Sequence, residues 1–340
     1  MQPIVLGPNM PEMFYRGNGR IDRLRGTSGH EDRPEDWIGS VTARFGTDTD
    51  GMTRLVDGSL LASAVAADPA AWLGAEHVAR YGSDTGLLVK LLDAGQRLPV
   101  HAHPGRRFAA EHLARPHGKT EAWIVLEAEP GAAVYLGFNR DVGADELAGW
   151  VRSQDVPSLL AATNRVPVAA GDSVLCPAGT PHAIGAGILV LELQEPADLS
   201  ILLEWSSFGL GSREATLGLP LEEALACVDR RACSPERLDA LRGRPLNSGS
   251  CSLLPAEGDP FFVAERVDTR VSRHLSQSYG VLVVTAGQGL LVLEDGGPVP
   301  VGRGSTVLIP YAAGPAVLSG ELEGVRCLPA ALPRWPDLPR

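Results

Sequence analysis

The sequence predicts a mainly β protein: two similar barrels or sandwiches with a small helical module between them. Three observations predict it. The chain carries many short apolar runs separated by Gly and Pro turns, the pattern of β-sandwiches and small barrels. One string recurs: Gly171-Asp-Ser-Val-Leu-Cys-Pro177 in the first half resembles Gly304-Ser-Thr-Val-Leu-Ile-Pro310 in the second. After Gly211 the composition shifts to short helix-forming segments before the β pattern returns. With 340 residues the chain is long enough for two or three domains and a sizeable core. The expected division is an N-terminal domain over 1–210 with inserted helices, a helical module and linker over 211–250, and a second barrel over 251–340.

The elements follow in order. The first fifty residues are rich in Gly, Pro, Asp and Arg, and Trp37 to Arg44 reads as a strand entered from a polar loop. Residues 59–81 are Ala-rich and helical, with Asp68-Pro69 as a helix start. Leu87 to Asp93 is a buried strand ending at Ala94-Gly95, and Pro99 to His103 forms the next. Phe108, Ala109, His112 and Leu113 have helical spacing and predict a short helix within 104–117. Trp123 to Leu126 and Val134 to Phe138 resume as strands, and two small helices fill 144–164. Val166 to Ala169, Ser173 to Cys176 and Ile188 to Leu193 complete the first set of strands. Pro220 fits a first helical position, with Leu221, Ala224, Leu225 and Val228 on one apolar face. Ser234-Pro235-Glu236 starts a second helix that Gly243 stops, Arg244 to Ser252 is a linker, and strands return from Leu253.

Composition narrows the function classes. Hydrophobic content is 44% and charged content 21%, ordinary for a soluble globular protein. A net charge of −11 leaves no basic surplus for a nucleic-acid backbone. Lysine occurs only as Lys90 and Lys119, where a compact mobile ammonium is retained in a chain otherwise committed to Arg. Five scattered cysteines with no Cys-x-x-Cys pair fit reduced thiols. No signal-like N-terminus and no membrane-length apolar stretch is present, so a cytoplasmic protein without membrane or nucleic-acid partners is expected.

The chemistry sits in two strings. Gly95-Gln-Arg-Leu-Pro-Val-His101-Ala-His103 puts two imidazoles at i and i+2. In a strand they share a face and can grip one ion. Gly171 to Pro177 continues as Ala-Gly179-Thr-Pro-His182, adding a third imidazole past a Pro-x-Gly turn. Gly118-Lys-Thr-Glu121-Ala-Trp123 offers the carboxylate that closes the set. Imidazole nitrogen and carboxylate oxygen hold Zn²⁺ at about 2.0–2.2 Å, within reach of side chains on neighbouring strands of a small barrel. The second half lacks this apparatus. Pro315 stands where a second His182 would be, and the strand from Tyr279 has no His pair, so only the first barrel is expected to hold a metal. Lys90, among leucines in mid-strand, points to a charge facing a wet cavity. Glu192 lies in an alternating strand, Leu191-Glu-Leu-Gln-Glu195.

The paired strings resemble the two motifs of the cupins, double-sheet jelly-roll barrels. Common cupins place the Glu soon after the second His, whereas here Glu121 follows His103 by eighteen residues. That spacing, the intervening helix and the words Val89-Lys-Leu-Leu-Asp-Ala-Gly95, Pro99-Val-His-Ala-His-Pro104, Gly118-Lys-Thr-Glu-Ala-Trp123 and Pro177-Ala-Gly-Thr-Pro-His-Ala-Ile-Gly185 resemble class I phosphomannose isomerases. Trp37 and Ser40 resemble that family's N-terminal motif more weakly, and the likeness runs through most of residues 30–205.

The resemblance implies a zinc aldose–ketose isomerase interconverting mannose 6-phosphate and fructose 6-phosphate through a cis-enediol. It implies one Zn²⁺ per chain, another divalent ion being competent, on His101, His103, Glu121 and His182. The family usually has Gln at the first of these. Lys119 matches the family's active-site lysine. The expected catalytic set is Lys119, Glu192 and Glu204, the base that abstracts the carbon-bound proton being a metal-bound hydroxide, Glu192 or Glu204, and the expected substrate-binding set is Lys90, Arg106, Arg107 and Lys119. Two departures stand out. Leu202 falls where the family places an Arg, in Asp198-Leu-Ser-Ile-Leu202-Leu-Glu204. Gly105-Arg106-Arg107 replaces an acidic pair, and its guanidinium groups are candidates for phosphate binding. The alternatives are an isomerase or epimerase of another or non-phosphorylated sugar, a non-catalytic sugar-binding bicupin and, less compatibly with the late Glu121, a cupin iron dioxygenase. The expected partner is a small sugar or sugar phosphate, and the expected assembly a monomer or homodimer.

Overall fold

The computed structural model describes residues 1–243, 252–270, 274–294 and 296–330. The expected linker, apart from Ser252, lies outside the described residues. Strand β1 (Ile4–Leu6) precedes helix α1 (Arg20–Arg25) and strand β2 (Glu35–Ile38). Three short helices follow, α2 (Leu61–Ala67), α3 (Pro69–Leu73) and α4 (Ala75–Tyr81). The Asp68 side chain caps α3 by accepting from Ala71 N, with Pro69 in its first turn. Next come β3 (Leu88–Ala94), β4 (His101–Ala102), α5 (Arg106–Leu113), β5 (Glu121–Ala128) and β6 (Ala133–Phe138). Helices α6 (Ala144–Ser153) and α7 (Val156–Ala162) lead to β7 (Thr163–Pro167), β8 (Ser173–Cys176), β9 (His182–Ile184), β10 (Ile188–Gln194) and β11 (Ile201–Leu202). Helices α8 (Ser212–Ala215), α9 (Leu221–Leu225) and α10 (Pro235–Ala240) form the helical stretch, with Pro220 at the N-cap of α9 rather than in its first turn. Strands β12 (Phe262–Asp268), β13 (His274–Leu275), β14 (Gly280–Leu293), β15 (Val299–Gly302), β16 (Thr306–Ile309) and β17 (Ala316–Pro329) complete the described chain.

The protein is mainly β, as the sequence predicts. The first unit comprises two five-stranded sheets, ordered β2-β3-β10-β5-β8 and β11-β4-β9-β6-β7, all paired antiparallel. The second unit is one seven-stranded sheet in which β14 and β17, fourteen residues each, run through both halves. The sequence suggests several short strands here. Instead the run from Gly280 continues through Gly287-Gln-Gly289 to Leu293. Gly287, at φ 74°, lies so close to β17 that a Cβ would meet the Glu321 carbonyl oxygen at 2.1 Å. A bulge between Val284 and Ala286 bends the strand so that the sheet curls.

The apolar run Val281 to Val284 that opens β14 has a physical reason. Leu282 and Val284 pack inside the curled sheet with Leu291, Val307 and Leu318. Val281 and Val283 face the other way, into a cluster shared with Ile38, Val89 and Leu191 of the first unit. Both faces are buried, so the period-2 alternation disappears. Strand β1 reinforces the junction: although it opens the chain, it pairs with β16 of the second unit, Val5 opposite Val307.

The repeated string is a structural repeat. Val174 and Val307 are its fourth residues, and each heads an equivalent row across its sheet. In the first unit the row is Val174, Trp123, Glu192, Lys90 and Trp37. In the second it is Val307, Leu282, Arg326 and Glu265. The same positions carry a cross-strand ion pair in both units with the signs exchanged: Lys90 with Glu192 at 3.8 Å, and Glu265 with Arg326 at 3.4 Å.

Candidate metal centre and its cavity

Strand β4 is only two residues long, yet it sets the metal motif. His101 is the register partner of His182 on β9, and Leu202 on β11 pairs with His101 from the other side. The imidazoles of His101, His103 and His182 gather, with ring centroids 4.0–4.8 Å apart. Glu121 opens β5 and reaches them: its Oε2 is 3.0 Å from His103 Nε2 and its Oε1 is 3.1 Å from His182 Nε2. All four side chains are buried.

Hydrogen bonds fix the rings in a ligating state. His101 Nδ1 lies 2.8 Å from Pro99 O, His103 Nδ1 2.7 Å from Leu199 O and His182 Nδ1 2.8 Å from Thr180 O. A carbonyl can only accept, so each Nδ1 donates and each Nε2 keeps its lone pair for the centre. His182 Nε2 is buried with no hydrogen-bond partner and faces a second acceptor, Glu121 Oε1. An orphaned acceptor of this kind, converging with two more imidazoles and a carboxylate, fits a divalent cation. Candidate ligand atoms of the three histidines lie within 4.8 Å of one another, as do those of Glu121, Cys176 and His182. Cys176 is absent from the sequence prediction. It sits opposite Glu121 in register, and burial pushes its thiol up, so it stands behind the centre as a neutral group.

Charge is arranged around the centre. Burial and then the nearby Lys119 ammonium lower the His103 pKa to about 3. Burial, then His182 and His103, hold His101 well below its ordinary value. Burial opposes ionisation of Glu121, but Lys119 and His103 outweigh it and hold the carboxylate well below its usual range. Lys119 Nζ is 3.2 Å from Glu121 Oε2 and 3.1 Å from His103 Nε2. Burial would lower Lys119, yet Glu121 and then Glu192 raise it, so it stays an ammonium.

A second charged group lines the same face. Lys90 lies 3.2 Å from Glu35, 3.8 Å from Glu192 and 4.4 Å from the ring centroid of Trp37. Trp37 Nε1 donates to Glu35 at 2.6 Å, and the Tyr15 hydroxyl also donates to Glu35. Glu35 stays ionised: burial is outweighed by Lys90 and these hydrogen bonds. Glu192 does not follow it. Burial, then the charge of Glu121, raise it to about 7.

These groups open into a cavity of about 570 Å³. Lys90, His101, Lys119, Glu121, His182 and Glu192 line it, so six of the sequence-predicted residues share one space. His103 belongs to the centre through Glu121 and Lys119. Glu35, Tyr15, Arg44, Asp198 and Arg213 also line the cavity and are missing from the prediction. Glu35 lies on β2 two residues before Trp37, one of the two residues likened to the N-terminal motif. The others come from loops and α8, with no local pattern to mark them.

Three predicted residues are corrected. Glu204 is locked by Arg97 through two contacts of 2.7 Å, by Val100 N at 3.1 Å and by Ser207 Oγ at 3.0 Å, away from the cavity lining. Its carboxylate is structural. Arg106 pairs with Glu195 and lies over the Phe261 ring, 5.3 Å from its centroid. Arg107 points to solvent on α5 and, among the described residues, its ion pair is with Glu111, at 3.5 Å. Neither arginine lines the cavity.

No family model matches the chain. Among curated sequences it is 34% identical over 201 residues to the mannose-6-phosphate isomerase of Streptococcus mutans, a stretch covering 58% of each chain. It is 29% identical over 239 residues to the Bacillus subtilis mannose-6-phosphate isomerase ManA, covering 70% of this chain and 73% of that one. The match to the Streptococcus relative thus spans little more than half of that protein's length. Among solved structures, a putative mannosephosphate isomerase from Archaeoglobus fulgidus superposes with a TM-score of 0.74 at 20% identity, covering 97% of this chain and 98% of that one. A phosphomannose isomerase from Salmonella typhimurium, in an E264A mutant form, gives 0.74 at 17% identity over 97% and 100%. The chain is therefore a sequence relative of mannose-6-phosphate isomerases, and it has the fold of the solved ones.

Proposed function

We propose that this chain is a metal-dependent aldose–ketose isomerase interconverting mannose 6-phosphate and fructose 6-phosphate. One observation carries the reading. Three imidazoles, each with its Nδ1 held by a backbone carbonyl so that Nε2 faces inward, and one carboxylate converge at the wall of a cavity that also holds a buried ammonium and a carboxyl poised near neutrality. The curated relatives' names agree with it.

His101, His103, Glu121 and His182 would hold the ion, with Zn²⁺ the best match to a nitrogen-rich set carrying one carboxylate. A bound divalent ion would polarise the oxygens on C1 and C2 of the sugar and offset the negative charge of an enediolate. The protein supplies the rest. Isomerisation moves one proton between C2 and C1, so a group must exchange a proton with carbon near neutral pH. Glu192, at about 7 and lining the cavity, suits that role. Lys119 stays protonated and can donate a hydrogen bond to a substrate oxygen as charge develops there. Lys90, fixed between Glu35 and Glu192, keeps the carboxyl of Glu192 directed and can meet a sugar hydroxyl.

The test is a coupled assay of the metal-loaded protein with mannose 6-phosphate and with free mannose. Turnover of the phosphorylated sugar supports the proposal. Turnover of free mannose alone points to a non-phosphorylated substrate, and saturable sugar binding without turnover to a binding protein.

A further inference from the structure

We propose that the curled sheet of the second unit holds a ligand site of its own, in which Arg326 takes a small monocarboxylate with an apolar body. The site is built from the second unit and does not rest on the isomerase reading.

The repeat supplies the first argument. In the first unit the row that carries Lys90 and Glu192 faces the cavity beside the metal centre. The matching row of the second unit carries Glu265 and Arg326, and these line a separate cavity of about 720 Å³. Pro315, which stands where a second His182 would be, lines it too. The two units thus keep cavities at equivalent places, and the second has the size of an ordinary small-ligand site. Among the described residues no metal-ligating cluster lies in it, so other chemistry must grip the ligand.

Arg326 supplies that chemistry. Its side chain is 1% exposed. Leu282, its register partner on β14, packs inside the curled sheet, so Arg326 points inward with it. A guanidinium has five N–H donors. Nη1 lies 3.4 Å from Glu265 Oε2 and donates to Ser276 Oγ at 3.2 Å, and Nη2 donates to Ser276 O. Nε is buried with no partner. Burial pulls the Arg326 pKa below its ordinary value, and the charge of Glu265 does not make up the difference. A buried cation with an orphaned donor and one long ionic contact is undercompensated. An anion in the cavity would complete it.

The lining selects the anion. A planar carboxylate matches the guanidinium fork. Leu275, Leu293 and Ala316 line the cavity and belong to the apolar cluster inside the sheet, so they would face an apolar body. Glu265 and Glu294 line it as well, and Arg266, the other guanidinium there, lies 3.6 Å from Asp268. A second negative charge on the ligand would meet those carboxylates, which disfavours phosphate. Glu265 is 30% exposed, and its contact with Arg326 is longer than a normal charge-assisted hydrogen bond. It can swing to solvent and yield its place to the incoming carboxylate.

Calorimetry with butyrate on the full chain tests the site. Wild type should bind butyrate saturably and inorganic phosphate at least about tenfold more weakly. Metal-stripped protein should bind butyrate equally well. R326M should bind it about tenfold or more weakly, the scale of a charge-assisted bidentate pair. E265Q, a conservative change at a half-buried position, should fold and bind butyrate about fivefold more tightly, because the internal competitor is gone. If R326M does not fold, E265Q decides. No saturable butyrate binding by wild type, equal binding by R326M, phosphate bound as tightly as butyrate, or an E265Q affinity no tighter than wild type overturns the inference. Loss of butyrate binding on metal removal would place the ligand at the metal centre and overturn it as well.

Discussion

Lys119 Nζ lies 3.2 Å from Glu121 Oε2, two residues along the same chain segment, and both side chains are buried. An ammonium is thus fixed against the carboxylate of the candidate metal centre, at the wall of the cavity. The pair couples ligand and donor: Lys119 keeps Glu121 ionised, and Glu121 keeps Lys119 protonated.

Removing the donor should separate metal binding from chemistry. K119A should retain its metal by elemental analysis and lose kcat by about a hundredfold or more, the usual scale for a preorganised donor at developing charge. An unchanged kcat would remove Lys119 from the mechanism.

Glu192 gives a pH signature. Its pKa is raised to about 7, and a base acts only when ionised. Activity should therefore fall as pH drops through about 7, giving kcat/KM an acid limb there. In E192Q the limb should vanish and the rate fall by about 10²- to 10⁴-fold. A wild-type limb that persists in E192Q would assign the titration to another group.

Glu204 should behave as a structural residue. E204Q removes a buried carboxylate bonded to Arg97 and should destabilise the fold by about 1–3 kcal/mol in denaturant unfolding, with kcat and KM retained. The sign with pH follows from its lowered pKa, where burial is outweighed by Arg97 and by hydrogen bonds from Val100 and Ser207. Its stabilisation is complete above the unfolded carboxylate value of about 4.3 and is lost as pH falls through the lower folded value. R107A should leave both stability and KM unchanged. A large KM effect from either variant would return these residues to the substrate site.

The clustering of His101, His103, Glu121 and His182 was legible in the sequence because its information is local. His101 and His103 share a strand face by the i, i+2 rule, and the Pro177-x-Gly179 turn announces His182. Lys90 was legible for a similar reason, since a charge amid leucines must find a polar space. The misassigned residues failed on long-range partners. Arg106 is claimed by Glu195, 89 residues away, and Glu204 by Arg97, 107 residues away. Neither pairing leaves a trace in spacing. Arg213 was missed because it enters the cavity from a helix of four residues. The single curled sheet of the second unit was hidden because the first five residues of β14 are buried on both faces, which erases the alternation that marks a strand's sides.

The most direct test of the central claim is metal content measured together with turnover of mannose 6-phosphate. The loaded protein should contain one divalent ion per chain, lose activity on chelation and regain it when Zn²⁺ or another competent ion is restored. H103A and E121A should neither hold the ion nor recover. Full turnover of mannose 6-phosphate by metal-stripped protein would contradict the account.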